Sequence, residues 1–315
     1  MNTMGAPAYS PSSPQFSPPL SQWHGGERPI VWRGGRFVTW REFQRDVFQV
    51  CAALPDGAYV INLCEDRYWF LVAFVAAVLR GQPNLLPPSR APQVIEQVAA
   101  RYAGAFTVTD REVETAASDA GQGREMGTAV IDPGVIAAII FTSGSTGEAR
   151  PNAKRWGDLV RGAQLLSQTL GLGDGLRDGL RDIPAPTVVA TVPPQHMYGL
   201  ETTVMLPLVT GVRVHGGRPF FPEDVRRALA EVPAPRILVS TPLHLRSCAR
   251  AGLHWPGMEQ VISATAALSV TVASQVESIL DAPVTEIFGC TEGGALATRR
   301  TCLLYTSDAA DEEDS

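Results

Sequence analysis

Lysine occurs once among the 315 residues, at Lys154, although Lys and Arg together number 26. No basic stripe appears, and basic residues are not interleaved with aromatic ones, so the footprint of a nucleic-acid binder is missing. Cysteine is equally sparse. Cys51, Cys64, Cys248, Cys290 and Cys302 stand apart without CxxC spacing, which predicts reduced thiols and no zinc site. The longest apolar run, Tyr68 to Leu79, falls short of the about 20 residues a membrane-spanning helix needs. The N-terminus has neither the basic start nor the continuous apolar core of a secretory signal. Together these absences predict a cytoplasmic protein with no membrane span and no nucleic-acid partner. Two common catalytic signatures are also missing. Gly147 is followed by Glu148-Ala149-Arg150, where a Walker loop needs lysine directly after its second glycine. Ser145 has Ser143 rather than glycine two residues before it, so no nucleophile elbow of a serine hydrolase is written here.

A strand-like run, Val135 to Phe141, empties into Thr142-Ser143-Gly144-Ser145-Thr146-Gly147. Glycines free the backbone to turn its N–H groups inward, the hydroxyls add donors, and an ammonium at Lys154 supplies a point charge. The combination reads as a polyphosphate cradle; taken alone, its plain alternative is a Ser/Thr/Gly surface turn. A second run, Val284 to Phe288, leads into Gly289-Cys290-Thr291-Glu292-Gly293-Gly294, placing a threonine and a carboxylate at a strand end, where sites of α/β proteins sit. Between them lies Pro193-Pro194-Gln195-His196-Met197-Tyr198-Gly199, a proline-braced turn carrying one histidine. Singly, Glu292 reads as a surface acid, Phe288 as core, Thr291 as a cap and His196 as a structural histidine. His24, His215, His244 and His254 have no comparable context and receive no role.

In this order, these motifs resemble the adenylate-forming superfamily, which includes acyl-CoA and aryl-CoA synthetases, firefly luciferase and the adenylation domains of peptide synthetases. The family patterns [ST]-S-G-[ST]-T-G, P-x-x-H-x-x-G and [YF]-G-x-T-E are met from Thr142, Pro193 and Phe288, and Ser263-Ala264-Thr265-Ala266-Ala267-Leu268-Ser269 matches a fourth more weakly. The resemblance covers residues 28 to 298. It implies that Thr142, Ser143, Gly144, Ser145, Thr146 and Gly147 cradle the β- and γ-phosphates of ATP. It also implies that Thr291 bonds the α-phosphate, that Glu292 with Thr142 holds Mg²⁺, and that Phe288, Gly289 and the Thr265, Ala266 and Ala267 backbone border adenine. His196 falls where the acid's carboxylate meets the phosphate. One departure concerns charge: the family's P-K-G after the loop is Ala149-Arg150-Pro151 here, which leaves Arg150 or Lys154 to carry the cation.

The activity implied is ATP-dependent conversion of an aryl or acyl acid to its adenylate with release of pyrophosphate, followed by transfer to the thiol of CoA or the phosphopantetheine of an acyl carrier protein. The alternatives are an amino-acid adenylation domain or an inactive nucleotide-binding fragment; a kinase or ATPase acting at the γ-phosphate is a further rival. No residue is assignable as the ammonium-binding aspartate of amino-acid adenylation, so an acid without an α-amino group is expected. Gly81 to Ser89 and Lys154-Arg155-Trp156-Gly157 are similar to the compact ligases of aryl polyene and xanthomonadin pigment clusters.

Residues 1–27 begin with a stretch rich in proline and serine that cannot bury enough apolar area to fold alone, and read as a flexible leader. Residues 28–301 read as an AMP-binding N-terminal domain. Full members of the family continue with a barrel subdomain, a ribose-binding aspartate, a hinge and a C-terminal domain bearing a catalytic lysine. None of these follows Glu292, so truncation and impaired turnover are expected. Residues 302–315 resemble sequencing-adapter read-through. Without that tail's five acids, the 32 acids fall to 27 against 26 bases, so the net charge moves from −6 to −1.

The remaining pattern alternates strand and helix. Thr39 and Glu42 form a capping box before Phe43, Val47, Val50 and Leu54 at helical spacing. Arg67 to Arg80 is apolar nearly all round and predicts a buried helix ended by Gly81. Strand-like runs at 58–63, 187–192, 212–215, 237–240 and 284–288 alternate with helices near 157–170, 222–232, 241–251 and 269–280. This predicts a layered αβαβα domain with mostly parallel sheets. The Gly-rich repeat from Asp174 to Asp182 reads as a solvated loop.

Overall fold

The computed structural model describes residues 26–118, 130–143, 149–172 and 184–300. Residues 1–25 of the leader, the tail, the Asp174 to Asp182 repeat and the heart of the phosphate loop, Gly144 to Gly147, lie outside these.

Among the described residues thirteen strands form two sheets: β1 (Pro29–Arg33), β2 (Arg36–Thr39), β3 (Tyr59–Asn62), β4 (Asn84–Leu86), β5 (Ala105–Val108), β6 (Ile136–Ser143), β7 (Ala149–Arg155), β8 (Thr187–Ala190), β9 (Arg213–His215), β10 (Arg236–Ser240), β11 (Gln260–Ser263), β12 (Val284–Cys290) and β13 (Gly294–Arg300). One sheet has the order β13-β12-β11-β10-β8-β9-β1-β2 and the other β5-β3-β4-β6-β7. Pairing is parallel except at the margins, where β1/β2, β12/β13 and β6/β7 run antiparallel. Buried parallel strands carry apolar side chains on both faces, and β8 and β10 are accordingly legible as apolar runs. β7 was not. Its residues Ala149-Arg150-Pro151-Asn152-Ala153-Lys154-Arg155 have no strand-like pattern, and pairing with β6 makes the strand.

The helices follow their local signals. Thr39 accepts the Glu42 N–H, and Glu42 returns a bond to the Thr39 N–H at 2.7 Å, so the capping box opens the helix Trp40–Ala53. The helix Arg67–Leu79 starts at Asp66, which accepts from Tyr68 N and Trp69 N, and Gly81 follows its cap with φ 68°. Residues Arg67 to Val78 are all buried, sharing a core cluster with strands of both sheets. This helix is therefore an inner layer. Among the described residues no helix is long and apolar enough to cross a membrane.

Arg67 is the polar exception in that inner layer. Its guanidinium donates to Thr203 Oγ1 at 2.5 Å and to the carbonyls of Ala190 and Val192 at 3.2 and 3.1 Å. Burial pushes its pKa down to about 9, with Arg218 acting in the same direction. It thereby fastens the exit of β8 to the helical segment beyond His196.

Candidate active site

β8 leads into Pro193 to Gly199, and the chain re-enters helix at Met197–Leu200, with His196 as the capping residue. A Cβ at Gly199 would lie 2.0 Å from the Pro193 carbonyl oxygen, so only glycine lets the turn fold back on itself. The helical path continues as a π-helical segment, Glu201–Met205, and then as Leu206–Val209. Tyr198 donates its hydroxyl to the carbonyls of Ser240 and Ile262, at 3.2 and 3.0 Å, pinning the turn over the ends of β10 and β11.

The loop after β11 holds Thr265, Ala266 and Ala267, all exposed. Thr265 has φ 80°, a left-handed conformation that a β-branched residue adopts only under constraint. Glu286, buried on β12, supports this loop. Its Oε1 accepts from Leu268 N and its Oε2 from Arg299 Nε, both at 2.8 Å. Beyond it Phe288 is 40% exposed, with the Arg299 guanidinium 4.8 Å from its ring centre.

These segments enclose one cavity of about 380 Å³. His196, Thr265, Ala266, Ala267, Phe288, Gly289 and Thr291 all line it, as do Tyr198, Glu201 and Glu286. Thr142, Lys154 and Glu292 do not. Thr142 is half-buried at the end of β6, opposite Arg150 of β7, and Ser143 is the last residue of β6. Lys154 extends from β7 and donates to the Glu292 carbonyl at 2.6 Å, which joins the sheet bearing the phosphate loop to the Thr291-Glu292 turn. Burial lowers the pKa of His196 from its ordinary value, and Arg218 reinforces the shift; the ring is therefore neutral near pH 7.

Glu201 was not singled out in the sequence, where it is a lone carboxylate within an apolar stretch. It is 5% exposed, and its Oε1 accepts from Ala295 N at 3.2 Å. Burial raises its pKa above the ordinary carboxylate range, against the Ala295 N–H and the charge of Lys154, which favour ionisation.

The sequence model of the AMP-binding enzyme family matches residues 58–314. The chain belongs to that family. It is 28% identical over 183 residues to a 4-coumarate–CoA ligase of Rhodobacter capsulatus, covering 56% of this chain and 44% of that protein. A 4-coumarate–CoA ligase of Halorhodospira halophila is 32% identical over 160 residues, or 50% and 36% of the two chains. Among solved structures, ATP-bound MatB from Rhodopseudomonas palustris superposes with a TM-score of 0.70 at 18% identity, covering 90% of this chain and 61% of that one. O-succinylbenzoate coenzyme A synthetase from Bacillus subtilis, in complex with AMP, gives 0.71 at 18%, covering 90% and 60%. The chain therefore has the α/β fold of the large N-terminal domain of adenylate-forming enzymes. It spans less than half the length of the two curated relatives.

Proposed function

We propose that this chain takes part in activating a small carboxylic acid by joining it to the α-phosphate of ATP, expelling pyrophosphate. Transfer of the acyl group to the thiol of CoA or of a carrier protein's phosphopantetheine would follow in the whole enzyme. The observation that carries the reading is the single cavity into which the His196 turn, the Thr265 loop and the Phe288 strand end all open. The names of the two curated relatives favour an aryl acid of the coumarate type.

In-line attack on a phosphate asks chiefly for positioning and charge neutralisation. Residues 28–301 form the body for this, and Thr142 to Gly147 receive the β- and γ-phosphates at the end of β6. Phe288 offers an exposed ring to one face of adenine, with Gly289 and the backbone of Thr265, Ala266 and Ala267 along its edge. Thr291 donates to the α-phosphate. Neutral His196 orients the attacking carboxylate without pairing with it as a fixed cation. Lys154 holds the Thr291-Glu292 turn through the Glu292 carbonyl and adds positive charge beside it.

Mg²⁺ suits this donor set. Among the described residues no cluster of three His, Cys, Asp or Glu side chains could cage a metal, whereas Mg²⁺ is usually held by one or two carboxylates together with substrate phosphates. Glu292, with the Thr142 hydroxyl, would hold it. When bound, Mg²⁺ would neutralise charge on the phosphate oxygens.

Acid-dependent exchange of labelled pyrophosphate into ATP tests the reading. Glu292→Gln and Thr291→Ala are each expected to lower exchange by about a hundredfold or more, the scale of one lost charge-stabilising contact. Formation of ADP instead of AMP and pyrophosphate would overturn the proposal in favour of γ-phosphate chemistry.

A further inference from the structure

The helix Arg67–Leu79 is buried and apolar except at its first residue. A cation there is costly: it is desolvated and feels Arg218, and it stands at the positive end of a helix. Asp66, which favours its charge, is already occupied by Arg33 Nε at 3.1 Å and by the Tyr68 and Trp69 N–H groups. What the guanidinium gains is a set of contacts that no apolar side chain could make. It donates to the carbonyl of Val192, the residue before Pro193, and to Thr203 Oγ1. The Thr203 hydroxyl passes the link on, donating to the Gly199 carbonyl at 2.6 Å. Gly199 in turn packs on Pro193, whose carbonyl oxygen a Cβ would meet at 2.0 Å. Val192, Pro193, Gly199, Thr203 and Arg67 thus close a ring around the stems of the turn, with His196 at its tip. The Arg67 backbone N–H joins a further segment to it, donating to the Gly216 carbonyl in the turn that carries Arg218.

We infer that Arg67 is a positioning residue for the adenylating step, one that touches neither ATP nor acid and acts by clasping both stems of the His196 turn from the inner layer. The inference rests on the adenylating function proposed above. Arg67 is absent from the cavity lining, whereas His196 belongs to it, so the effect travels through the hydrogen bonds of the ring. Reacting groups must be held in near-attack geometry, and a displacement of about 1 Å caused far from the chemistry can cost about a hundredfold in rate. A guanidinium suits the task because its planar fork reaches several acceptors at fixed angles, whereas an ammonium is a point charge on a flexible stem. An arginine that served stability alone would lower stability and rate together when replaced. Here the two separate. Removing the cation strands the Ala190 and Val192 carbonyls but also relieves its desolvation, so the effects on stability oppose one another. Nothing offsets the loss of the clasp.

The test uses Arg67→Met, Arg67→Lys, Thr203→Val and the Arg67→Met, Thr203→Val double variant, in pyrophosphate exchange with 4-coumarate and benzoate at varied ATP. Circular dichroism confirms folding, calorimetry measures ATP binding, and NMR follows the His196 imidazole, assigned with His196→Asn. Arg67→Met is expected to lower the maximal exchange rate about tenfold to a hundredfold. Its KM for ATP should change little, since the Phe288 and Thr265 walls are untouched. Arg67→Lys should recover part of the rate. Thr203→Val should match Arg67→Met and the double variant should fall no further, because members of one network do not act additively. Both single variants should shift the His196 resonance alike. Full exchange in folded Arg67→Met, a loss confined to KM, or additive losses in the double variant overturns the inference and leaves the adenylating function standing. If the wild type binds ATP without exchange, the His196 resonance in the ATP complex decides: a shift shared by both single variants upholds the inference and an unmoved line overturns it. Absence of both exchange and ATP binding in the folded wild type overturns the inference and the adenylating function together. Should Arg67→Met not fold, Arg67→Lys and Thr203→Val decide.

Discussion

Thr265 has a φ of 80°, a backbone conformation that favours glycine. A left-handed L-residue costs about 1–2 kcal/mol, here sustained by the Glu286 bond to Leu268 N just beyond. Thr265→Gly is expected to stabilise the fold by up to about 1 kcal/mol once glycine's greater chain entropy is set against the relieved strain. A rise in the urea midpoint would show it. His196 makes a prediction of opposite kind. Its folded pKa lies below the ordinary 6.5 because burial, and then Arg218, disfavour the imidazolium. As pH falls below 6.5, the unfolded chain takes up that proton first, so stability is full above this point and is lost as pH drops toward the folded value. His244 shifts in the same direction, so His196→Asn should flatten this slope only in part, as read from denaturation midpoints between pH 5 and 7.

Elements were legible where they announce themselves locally. The Thr39-Glu42 capping box, the apolar helix from Arg67 and the strands leading to Ser143, Ala190, Ser240 and Cys290 were all readable, because burial on both faces writes a continuous apolar run. β7 and the π-helical segment Glu201–Met205 were not. A marginal strand is made by its partner, and a π segment differs from an α-helix by one shifted bond rather than by composition. The His196 turn shows how tightly an element can depend on one atom. With its Cβ position 2.0 Å from the Pro193 oxygen, Gly199→Ala must displace backbone. A loss of about 1–3 kcal/mol is expected, the range for overpacking, along with weaker acid-dependent exchange. Unchanged thermal stability would count against this reading of the turn.

Across the whole molecule, solvent access to the cavity orders the thiols. Cys64 and Cys248 are buried, with burial raising both pKa values, that of Cys248 to about 11. Cys51 is half-buried and raised as well, whereas Cys290 is exposed and lines the cavity. Thiolate availability governs alkylation, so iodoacetamide should modify Cys290 before these three, and ATP should slow it. Peptide mass spectrometry reads both effects and separates Cys290 from Cys302. The ordered motifs from Thr142, Pro193 and Phe288 were enough to name the family, since each is a contiguous backbone device whose residue types are dictated by its own turn. The bonds of Lys154 to the Glu292 carbonyl and of Ala295 N to Glu201 join residues 138 and 94 positions apart. Neither leaves a local pattern, because the first arises where the two sheets meet and the second where a helical segment packs against β13. Folding alone therefore brought the Glu201 carboxylate into the cavity wall.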